Sequence, residues 1–246
     1  MARYKLTLAY DGTAFMGSQR QARRRTVQGE LEKGLHRLGW TGRSVILAGR
    51  TDTGVHAAGQ IAALDFDWVH GTDAMREALN ANLPVDMAVS AVELAEQAFH
   101  PRFDAISRRY RYRVICQPVR DPLREATAWR IWPALEGSPL VDAAKCLPGR
   151  RNFAAFGSAP RKGGETVRTV SISEWSRAGD EWFYEIVADG FLYHMVRRLV
   201  YAQVAVAQGR CPQGALMESL ESGARSPVLP AGMAPAHGLT LVNVNY

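Results

Sequence analysis

The sequence predicts an α+β fold built from two related halves. Short runs of alternating apolar and polar residues are typical of half-buried strands, and longer amphipathic stretches are typical of helices. The order strand–helix–strand–strand–helix–strand occurs about once in each half of the 246 residues. This order favours helices packed on mixed or antiparallel sheets. We expect one half to cover residues 1–105 and the other to cover residues 106–246.

The first half carries four predicted strands and two predicted helices. Alternation of apolar side chains predicts the first strand, which ends at Tyr10. Thr26 and Thr72 are predicted N-caps, because a threonine hydroxyl can accept a hydrogen bond from the first turn of a helix. In chain order these elements cover residues 4–10, 27–38, 45–48, 61–66, 72–83 and 86–94.

The second half follows a crossover segment at residues 99–105. Alternation from Arg109 to Cys116 predicts a strand with arginines on one face and mostly apolar or aromatic residues on the other. Ser138 and Pro139 predict the start of a helix, and residues 148–165 are predicted to form a loop. The remaining patterns predict a strand hairpin, the longest helix, a short helix and a last strand, over residues 167–175, 182–188, 191–208, 214–222 and 239–245.

The basic side chains indicate a polyanionic partner. The net charge is +6, and only four of the 30 lysines and arginines are lysines. Arginine binds phosphate through a bidentate fork and stacks on bases, which favours a nucleic acid. Genomic base composition or adaptation to heat would produce the same bias. No apolar run approaches the roughly 20 residues that span a bilayer, and the first residues lack the apolar core of a secretion signal. We therefore expect a cytoplasmic protein without a membrane partner.

Cysteine and glycine patterns point away from metals and nucleotide cofactors. Cys116, Cys146 and Cys211 lie far apart, and no two cysteines have the CxxC spacing of a zinc site. Their odd number and wide spacing predict no disulfide framework. The sequence also lacks the glycine patterns of Walker A and dinucleotide-binding loops. We expect no metal and no organic cofactor.

A carboxylate lies in a glycine-bounded turn between two predicted strands. The segment 49–57 reads GRTDTGVHA, with Asp52 at its centre and Arg50 and His56 nearby. Glycine permits backbone angles that other residues resist, so such a turn can hold a side chain at a fixed angle. Charged groups on a loop of a rigid scaffold are typical of active sites. The alternative is an ordinary polar turn capped by its own aspartate, which spacing alone favours.

Nine short motifs are distributed in order along the whole chain. They are LAYDGTAF (8–15), GSQRQ (17–21), TVQ (26–28), GRTD (49–52), FHPRF (99–103), RRYRY (108–112), NFAAF (152–156), FLYHMVR (191–197) and PAHGL (235–239). The ordered set closely resembles the TruA family of tRNA pseudouridine synthases. Each motif alone is modestly specific, whereas the set in this order is very specific.

The resemblance implies a pseudouridine-synthase fold with a cleft between the two halves. It also implies a homodimer that converts uridine to pseudouridine at positions 38, 39 and 40 of the tRNA anticodon stem–loop. No metal or organic cofactor is implied. These expectations come from the resemblance and not from composition or periodicity.

Four residues match the catalytic positions of that family. The resemblance implies that Asp52 is the catalytic nucleophile, while attack at C1′, addition to the base and removal of the C2′ proton remain open as routes. It implies that Arg197 pairs with this carboxylate and that Tyr110 stacks on the target base and assists proton removal from C5. Arg50 would help to extrude the nucleotide from its stack.

Each of these residues also has a structural alternative. Arg197 could be the polar edge of an amphipathic helix, although its apolar neighbours place it near a buried boundary where a charge needs a partner. Tyr110 could be a core aromatic residue of an alternating strand. Arg50 could form a surface salt bridge. His56 and His194 lie beside the key motifs, and structural roles are favoured for both.

A basic loop between the first strand and the first helix is the predicted RNA-binding segment. Clusters of arginine in a loop beside site motifs favour phosphate contacts over isolated solvated charges. Arg161, Lys162 and Arg168 in the second half are further candidates. The loop residues assigned to RNA binding are Gln19, Arg20, Gln21, Arg23, Arg24 and Arg25.

Two other functions compete with a tRNA pseudouridine synthase. A non-catalytic RNA-binding protein on the same scaffold would be favoured by loss of Asp52, Tyr110 or Arg197, and all three are present. A carboxylate-dependent nucleoside hydrolase would need a second carboxylate near the first. The nearest acids, Asp65 and Asp67, lie on or after the following strand and not in the turn.

Overall fold

A computed structural model describes residues 1–161 and 163–246 and divides them into two compact units. The first unit comprises residues Met1–Ile106 together with Thr240–Tyr246, and the second comprises Ser107–Leu239. Lys162, one of the candidate RNA-binding residues, lies outside the described residues.

Strands and helices alternate along both units. The strands are β1 (Ala2–Tyr10), β2 (Ile46–Leu47), β3 (His56–Phe66), β4 (Met87–Ala95), β5 (Ser107–Cys116), β6 (Trp129–Ile131), β7 (Gly149–Asn152), β8 (Val167–Ala178), β9 (Glu181–Ala188) and β10 (Leu239–Asn245). The α-helices are α1 (Val27–Arg37), α2 (Thr72–Asn82), α3 (Gly137–Lys145), α4 (Met195–Ala207) and α5 (Gly214–Ser222). The predicted α+β class is confirmed.

The first unit is organised around β1 and β3, which pair antiparallel with Leu6 opposite Ala62. β4 covers the other edge of β1, also antiparallel. Both β2 and β10 lie on the far edge of β3, where β2 is antiparallel and β10 is parallel. The apolar side chains of β1 are buried, as the alternating pattern predicts.

The last strand belongs to the first unit, whereas the sequence analysis placed it in the second half. Thr240 of β10 lies opposite His56 of β3, and Leu241 lies opposite Ala57. Gly59 of β3 leaves no room for a Cβ, because that atom would meet the backbone of Val242. This parallel pairing joins two segments that are far apart in sequence, which a local pattern does not reveal. The predicted functional division at 105/106 stays a prediction.

The second unit is an antiparallel sheet in the order β5–β9–β8–β7, with β6 parallel to β5. Tyr112 and Val114 of β5 are fully buried. Arg109 and Arg111, on the other face, form ion pairs of 2.8 and 2.6 Å with Glu185 of β9. The predicted alternation of β5 is therefore confirmed.

Several predicted boundaries need correction. The N-cap of α2 is Gly71 and not Thr72, which is the first helical residue. α4 begins at Met195 and not at residue 191, because the backbone of Tyr193 pairs with Ser158 and His194 has a φ of +65°. β6 was not predicted, and β7 lies inside the predicted loop 148–165. Thr26 does cap α1, accepting a 3.3 Å hydrogen bond from the Gly29 N–H.

The two units share a core motif of three strands and two helices. In the first, β1 pairs with β3, and β2, which follows α1, lies on the far side of β3. In the second, β5 pairs with β9, and β8, which follows α3, lies on the far side of β9. β3 leads into α2 and β9 leads into α4, while β6 and β7 are additional strands of the second unit. No helix formed by the described residues has the length and apolar character needed to cross a membrane.

Candidate active site

Asp52 opens a four-residue turn immediately before β3. The Val55 N–H donates to the carbonyl oxygen of Asp52 over 3.1 Å and closes the turn. Gly54, the third residue of the turn, has a φ of +79°, a conformation that glycine adopts without steric cost. Asp52 is half-buried and the next residue, Thr53, is exposed. The carboxylate is therefore carried by a half-buried residue on a short, closed turn.

Two glycines let the preceding loop pack directly on this turn. A Cβ at Gly12 would overlap the carbonyl oxygen of Val55, and a Cβ at Gly17 would come within 3.0 Å of the carbonyl oxygen of Thr51. Gly17 also has a φ of +85°. Backbone meets backbone at both positions, so neither can yield by rotating a side chain. The segment from Asp11 to Ser18 thus buttresses the turn from one side.

Thr51, the residue before Asp52, is held at three atoms. Its N–H donates to Ser18 Oγ over 2.8 Å, and its carbonyl oxygen accepts from the Ser18 N–H over 3.1 Å. Its hydroxyl lies 2.9 Å from the Tyr10 hydroxyl. Two residues further back, the carbonyl oxygen of Gly49 accepts from Gln60 Nε2 over 3.0 Å. The backbone that leads into Asp52 is therefore fixed from two directions.

His56 takes a structural position behind the turn. Its side chain is 8% exposed, and its Nδ1 accepts a 3.1 Å hydrogen bond from the Gly12 N–H. Asp11 Oδ1 lies 3.1 Å from the same nitrogen. Partial burial raises the pKa of Asp11, but hydrogen bonds from Thr13 and the proximity of His56 outweigh it and hold the pKa below its ordinary value. The contacts match the structural role favoured for His56.

Arg50 precedes Asp52 by two residues in the segment that leads into the turn. It is exposed, and it forms no ion pair with any residue that the structure describes. The surface salt bridge considered as its alternative is therefore not among the described contacts.

Two arginines of the predicted RNA-binding loop are committed to ion pairs within the first unit. Arg20 Nη1 lies 2.7 Å from Oε2 of the buried Glu32. The guanidinium of Arg25 grips both carboxylate oxygens of Asp86 at 2.7 Å. Because Arg25 donates to it, the pKa of Asp86 is lowered. Both arginines thus have a structural function that the sequence analysis did not assign.

The other residues of that loop face solvent. Gln19, Arg23 and Arg24 are exposed, and Arg23 has a φ of +59°. Neither Arg23 nor Arg24 forms an ion pair with the described part of the chain. Gln21 is also exposed, but its Nε2 donates to the carbonyl oxygen of Met16 over 2.7 Å. The cations available to an outside ligand in this loop are therefore Arg23 and Arg24.

The second unit carries Tyr110 and Arg197. Tyr110 is half-buried on β5, and its ring meets the ring of Phe191 edge-to-face with 5.0 Å between centroids. Arg197 lies in the first turn of α4, half-buried, and its Nε donates to the carbonyl oxygen of Ala234 over 2.8 Å. The Ala234 N–H in turn donates to the carbonyl oxygen of Arg197 over 3.1 Å.

The segment 234–238, whose Ala234 carbonyl oxygen accepts from Arg197, also packs against Tyr112. The Tyr112 hydroxyl donates to the carbonyl oxygen of Pro235 over 2.8 Å, and a Cβ at Gly238 would come within 2.6 Å of its ring. Burial raises the pKa of Tyr112 well above its ordinary value, and the nearby charge of Arg197 lowers it only in part. The PAHGL motif thus packs against two elements of the second unit.

His194 precedes α4 in a left-handed conformation, with a φ of +65°. Such a conformation is uncommon outside glycine and costs free energy. The imidazole lies against the Tyr193 ring, with 3.7 Å between centroids. No group of three or more potential metal ligands is present among the described residues.

The structure thus collects Asp52, Arg50 and His56 in one segment of the first unit, and it places Tyr110 and Arg197 in the second. Sequence patterns did not reveal the side chains that hold the Asp52 turn, above all Tyr10 and Thr51. Both lie in or beside motifs, but their hydroxyls face each other only because 40 residues of intervening chain fold back.

Comparison with known proteins agrees with these motifs over nearly the whole chain. The family model described as tRNA pseudouridine synthase matches residues 7–104 and 143–246. The chain belongs to the tRNA pseudouridine synthase family. Membership makes it an enzyme of the isomerase class and supports pseudouridine formation in tRNA as its reaction.

Three curated relatives, each named tRNA pseudouridine synthase A, illustrate this similarity. The protein from Chloroflexus aurantiacus (strain J-10-fl) is 42% identical over 98% of this chain and 87% of its own length. The protein from Methylobacterium sp. (strain 4-46) is 39% identical over 100% and 98%. The protein from Myxococcus xanthus is 41% identical over 100% and 92%. The resemblance inferred from the motifs is therefore confirmed at the level of the family.

Proposed function

We propose that this enzyme isomerises uridine to pseudouridine at positions 38, 39 and 40 of the tRNA anticodon stem–loop. The observation that carries the proposal is the half-buried Asp52 carboxylate on a closed turn whose preceding residue is held at three atoms. Family membership supports tRNA as the substrate. The three positions are taken from the TruA-type motifs.

The reaction requires one fixed carboxylate and no net oxidation. The N1–C1′ bond of uridine breaks, the base turns, and a C5–C1′ bond forms. C5 then loses its proton and N1 gains one, so the atoms of substrate and product balance. A carboxylate acting as nucleophile divides this exchange into two easier steps. We assign that role to Asp52.

The other predicted residues supply charge, stacking and extrusion. Arg197 would pair with the Asp52 carboxylate and balance its charge. Tyr110 would stack on the target base, which contributes about 1–3 kcal/mol per base, and its hydroxyl would assist loss of the C5 proton. Arg50, exposed at the rim of the turn, would fill the space that the extruded nucleotide leaves.

Binding of tRNA would rest on shape and phosphate contacts, with Arg23 and Arg24 as the available cations of the basic loop.

We further propose a homodimer, in which a long tRNA lies across both subunits, and a cytoplasmic location. No metal or organic cofactor enters the proposed chemistry. Light scattering at working concentration tests the assembly, and a monomeric mass would contradict the dimer.

The first experiment is tritium release from unmodified tRNA labelled at uridine C5, with wild type and Asp52→Ala side by side. We expect release by the wild type and none by the variant, because the C5 proton leaves only when the new glycosidic bond has formed. Salt-sensitive tRNA binding without release by the wild type would favour the non-catalytic RNA-binding protein. Release by both proteins would place the catalytic carboxylate elsewhere.

The modified positions are tested with tRNA transcripts that carry uridine at only one of positions 38, 39 and 40. We expect release from each, and none from a transcript in which cytidine replaces uridine at all three positions. Release from that last transcript would overturn the proposed positions and leave the chemistry intact.

A further inference from the structure

A buried pair of hydroxyls includes the side chain of Thr51, the residue that precedes the proposed nucleophile. We propose that the Tyr10–Thr51 pair positions the Asp52 carboxylate for catalysis, and that Tyr10 and Thr51 are positioning residues without contact to the reacting atoms. The inference rests on the proposed function of Asp52. It concerns residues of the first unit alone.

The geometry of the pair is well defined. The two hydroxyl oxygens lie 2.9 Å apart, and both residues are buried, with 5% of Tyr10 and 6% of Thr51 exposed. Tyr10 is the last residue of β1, so its ring is carried by a strand paired on both edges. A rigid element thus reaches the residue that precedes the nucleophile.

Gln60 extends the contact to the start of the turn. It is fully buried on β3, and its Nε2 donates to the carbonyl oxygen of Gly49. Burial raises the pKa of Tyr10, while the Thr51 hydroxyl and the Gln60 amide lower it in part. The phenol therefore stays neutral near neutral pH, as a hydrogen-bonding group and not as a base. Of its two polar neighbours, Thr51 directly precedes Asp52, and Gln60 holds the carbonyl oxygen of Gly49 at the start of the same segment.

Stability alone does not explain polar groups at this place. A Phe–Val pair of similar shape would fill the same space without the desolvation of two hydroxyls, and such replacements are often neutral or stabilising. The hydroxyls do supply direction, because a hydrogen bond fixes the Thr51 side chain in one rotamer. Thr51 is bonded to Asp52, so a fixed Thr51 limits the angles that the carboxylate can reach.

Small displacements of a catalytic group are costly. A misplacement of about 1 Å reduces turnover by up to about a hundredfold even when the mutated residue lies away from the chemistry. Loss of the pair would leave the Asp52 side chain in place but distributed over more orientations. We therefore expect an effect on the chemical step and little effect on tRNA affinity, because neither hydroxyl is exposed to a ligand.

The chain contains a matched control. Tyr184 and Ser173 in the second unit form a second buried hydroxyl pair, also 2.9 Å apart. The Ser173 hydroxyl donates to the carbonyl oxygen of Ala144 in α3, and no residue assigned to chemistry participates. Removing the Tyr184 hydroxyl costs a buried hydrogen bond of the same kind without touching the Asp52 turn.

The experiment compares Tyr10→Phe, Thr51→Val, their double variant and Tyr184→Phe with wild type. Single-turnover tritium release at saturating enzyme reports the chemical step, filter binding reports the tRNA Kd, and thermal unfolding reports the fold. We expect each first-unit variant to lower the single-turnover rate by about tenfold to a hundredfold with Kd within about twofold. Thr51→Ser, which retains the hydroxyl, should recover most of the rate.

The two hydroxyls should act as one unit, so the double variant should be no slower than about the slower single variant. Tyr184→Phe should lower the melting temperature to a similar extent and leave the rate unchanged. Wild-type rates in Tyr10→Phe and Thr51→Val, or an equal loss in Tyr184→Phe, would overturn the inference. Failure of the proposed function is distinguished because wild type itself would then release no tritium.

Discussion

The two units of this enzyme share a core of three strands and two helices but place their buried polar groups differently. In the first unit, Tyr10, Thr51 and Gln60 are gathered where the chain enters the turn that carries the half-buried Asp52. In the second, Tyr184 and Ser173 bond to each other within the core, between sheet and helix. The two hydroxyl pairs have the same oxygen–oxygen distance of 2.9 Å. The first contacts the residue before Asp52, and the second lies within the core.

This difference indicates that the two sets of buried hydrogen bonds have different roles. Buried hydrogen bonds next to a half-buried carboxylate can fix its orientation, whereas those inside a core fix the packing of a sheet against its helices. The second unit instead presents two half-buried side chains, Tyr110 and Arg197, on a regular strand and helix. We therefore expect mutations at the Asp52 turn of the first unit to affect mainly turnover. Mutations in the second should affect base recognition as well.

The largest effect is expected from Asp52→Asn. The amide keeps the size of the side chain but removes the charge and the nucleophile, so activity should fall by on the order of 10⁴-fold or more. Asp86→Asn, a matched change in the same unit, should retain activity within a few-fold. Activity is measured by tritium release. A loss of only a few-fold in Asp52→Asn would mean that the first unit does not supply the essential catalytic carboxylate.

A smaller effect is expected from Tyr110→Phe in the second unit. Retention of the ring preserves stacking, while loss of the hydroxyl removes a proton-transfer group, which typically contributes about 10² or more in rate. The tRNA Kd should stay the same in Tyr110→Phe and rise in Tyr110→Ala. A Tyr110→Phe enzyme with full activity would limit Tyr110 to stacking.

Replacing a closely packed glycine by alanine in each unit tests how tightly the chain is packed at that position. Gly12→Ala pushes a methyl group into the backbone of Val55, whereas Gly223→Ala in the second unit, at a φ of +67°, meets the side chain of Asn152. Both should reduce the free energy of unfolding by about 1–3 kcal/mol, measured by urea denaturation. Only Gly12→Ala displaces the Asp52 turn, so it alone should also lower the turnover of the folded enzyme. Equal turnover in both variants would contradict the comparison.

The basic loop of the first unit should control how binding depends on salt. Replacing Arg23 and Arg24 together by alanine removes two exposed cations, so the slope of log K against log salt should decrease by about 1.5 if each contacts one phosphate. Arg43→Ala, at another exposed position of the same unit, is the control. An unchanged slope in the double variant would exclude this loop from the RNA interface.

The smallest effect is expected from the Arg25–Asp86 pair, through pH. Its partner lowers the pKa of Asp86, so the pair stabilises the fold above the ordinary aspartate pKa of about 4 and loses this effect as pH falls through the lowered value. Asp86→Asn should reduce the free energy of unfolding by about 1 kcal/mol or less at pH 7. The difference from wild type should vanish in acid. A difference that persists at pH 2 would mean that packing, and not charge, is lost.

Local patterns predicted much of the fold for physical reasons that act over a few residues. Alternation on β5 buries Tyr112 and leaves Arg111 on the other face, and the hydroxyl of Thr26 caps the helix that follows it. The start of α4 was predicted too early, because residues 191–194 have the apolar spacing of a helix. Pairing of Tyr193 with Ser158 prevails there over helix propensity.

The sequence by itself determined the family, the class of reaction and the position of Asp52 in a glycine-bounded turn, because those properties reside in short ordered motifs. Only the tertiary structure decided which charges and hydroxyls meet. Arg25, predicted to bind RNA, grips Asp86 from 61 residues away, and Tyr10 reaches Thr51 across 41 residues. The last strand joins the first unit for the same reason. Such contacts depend on chain closure over long separations, on which periodicity and capping rules have no influence.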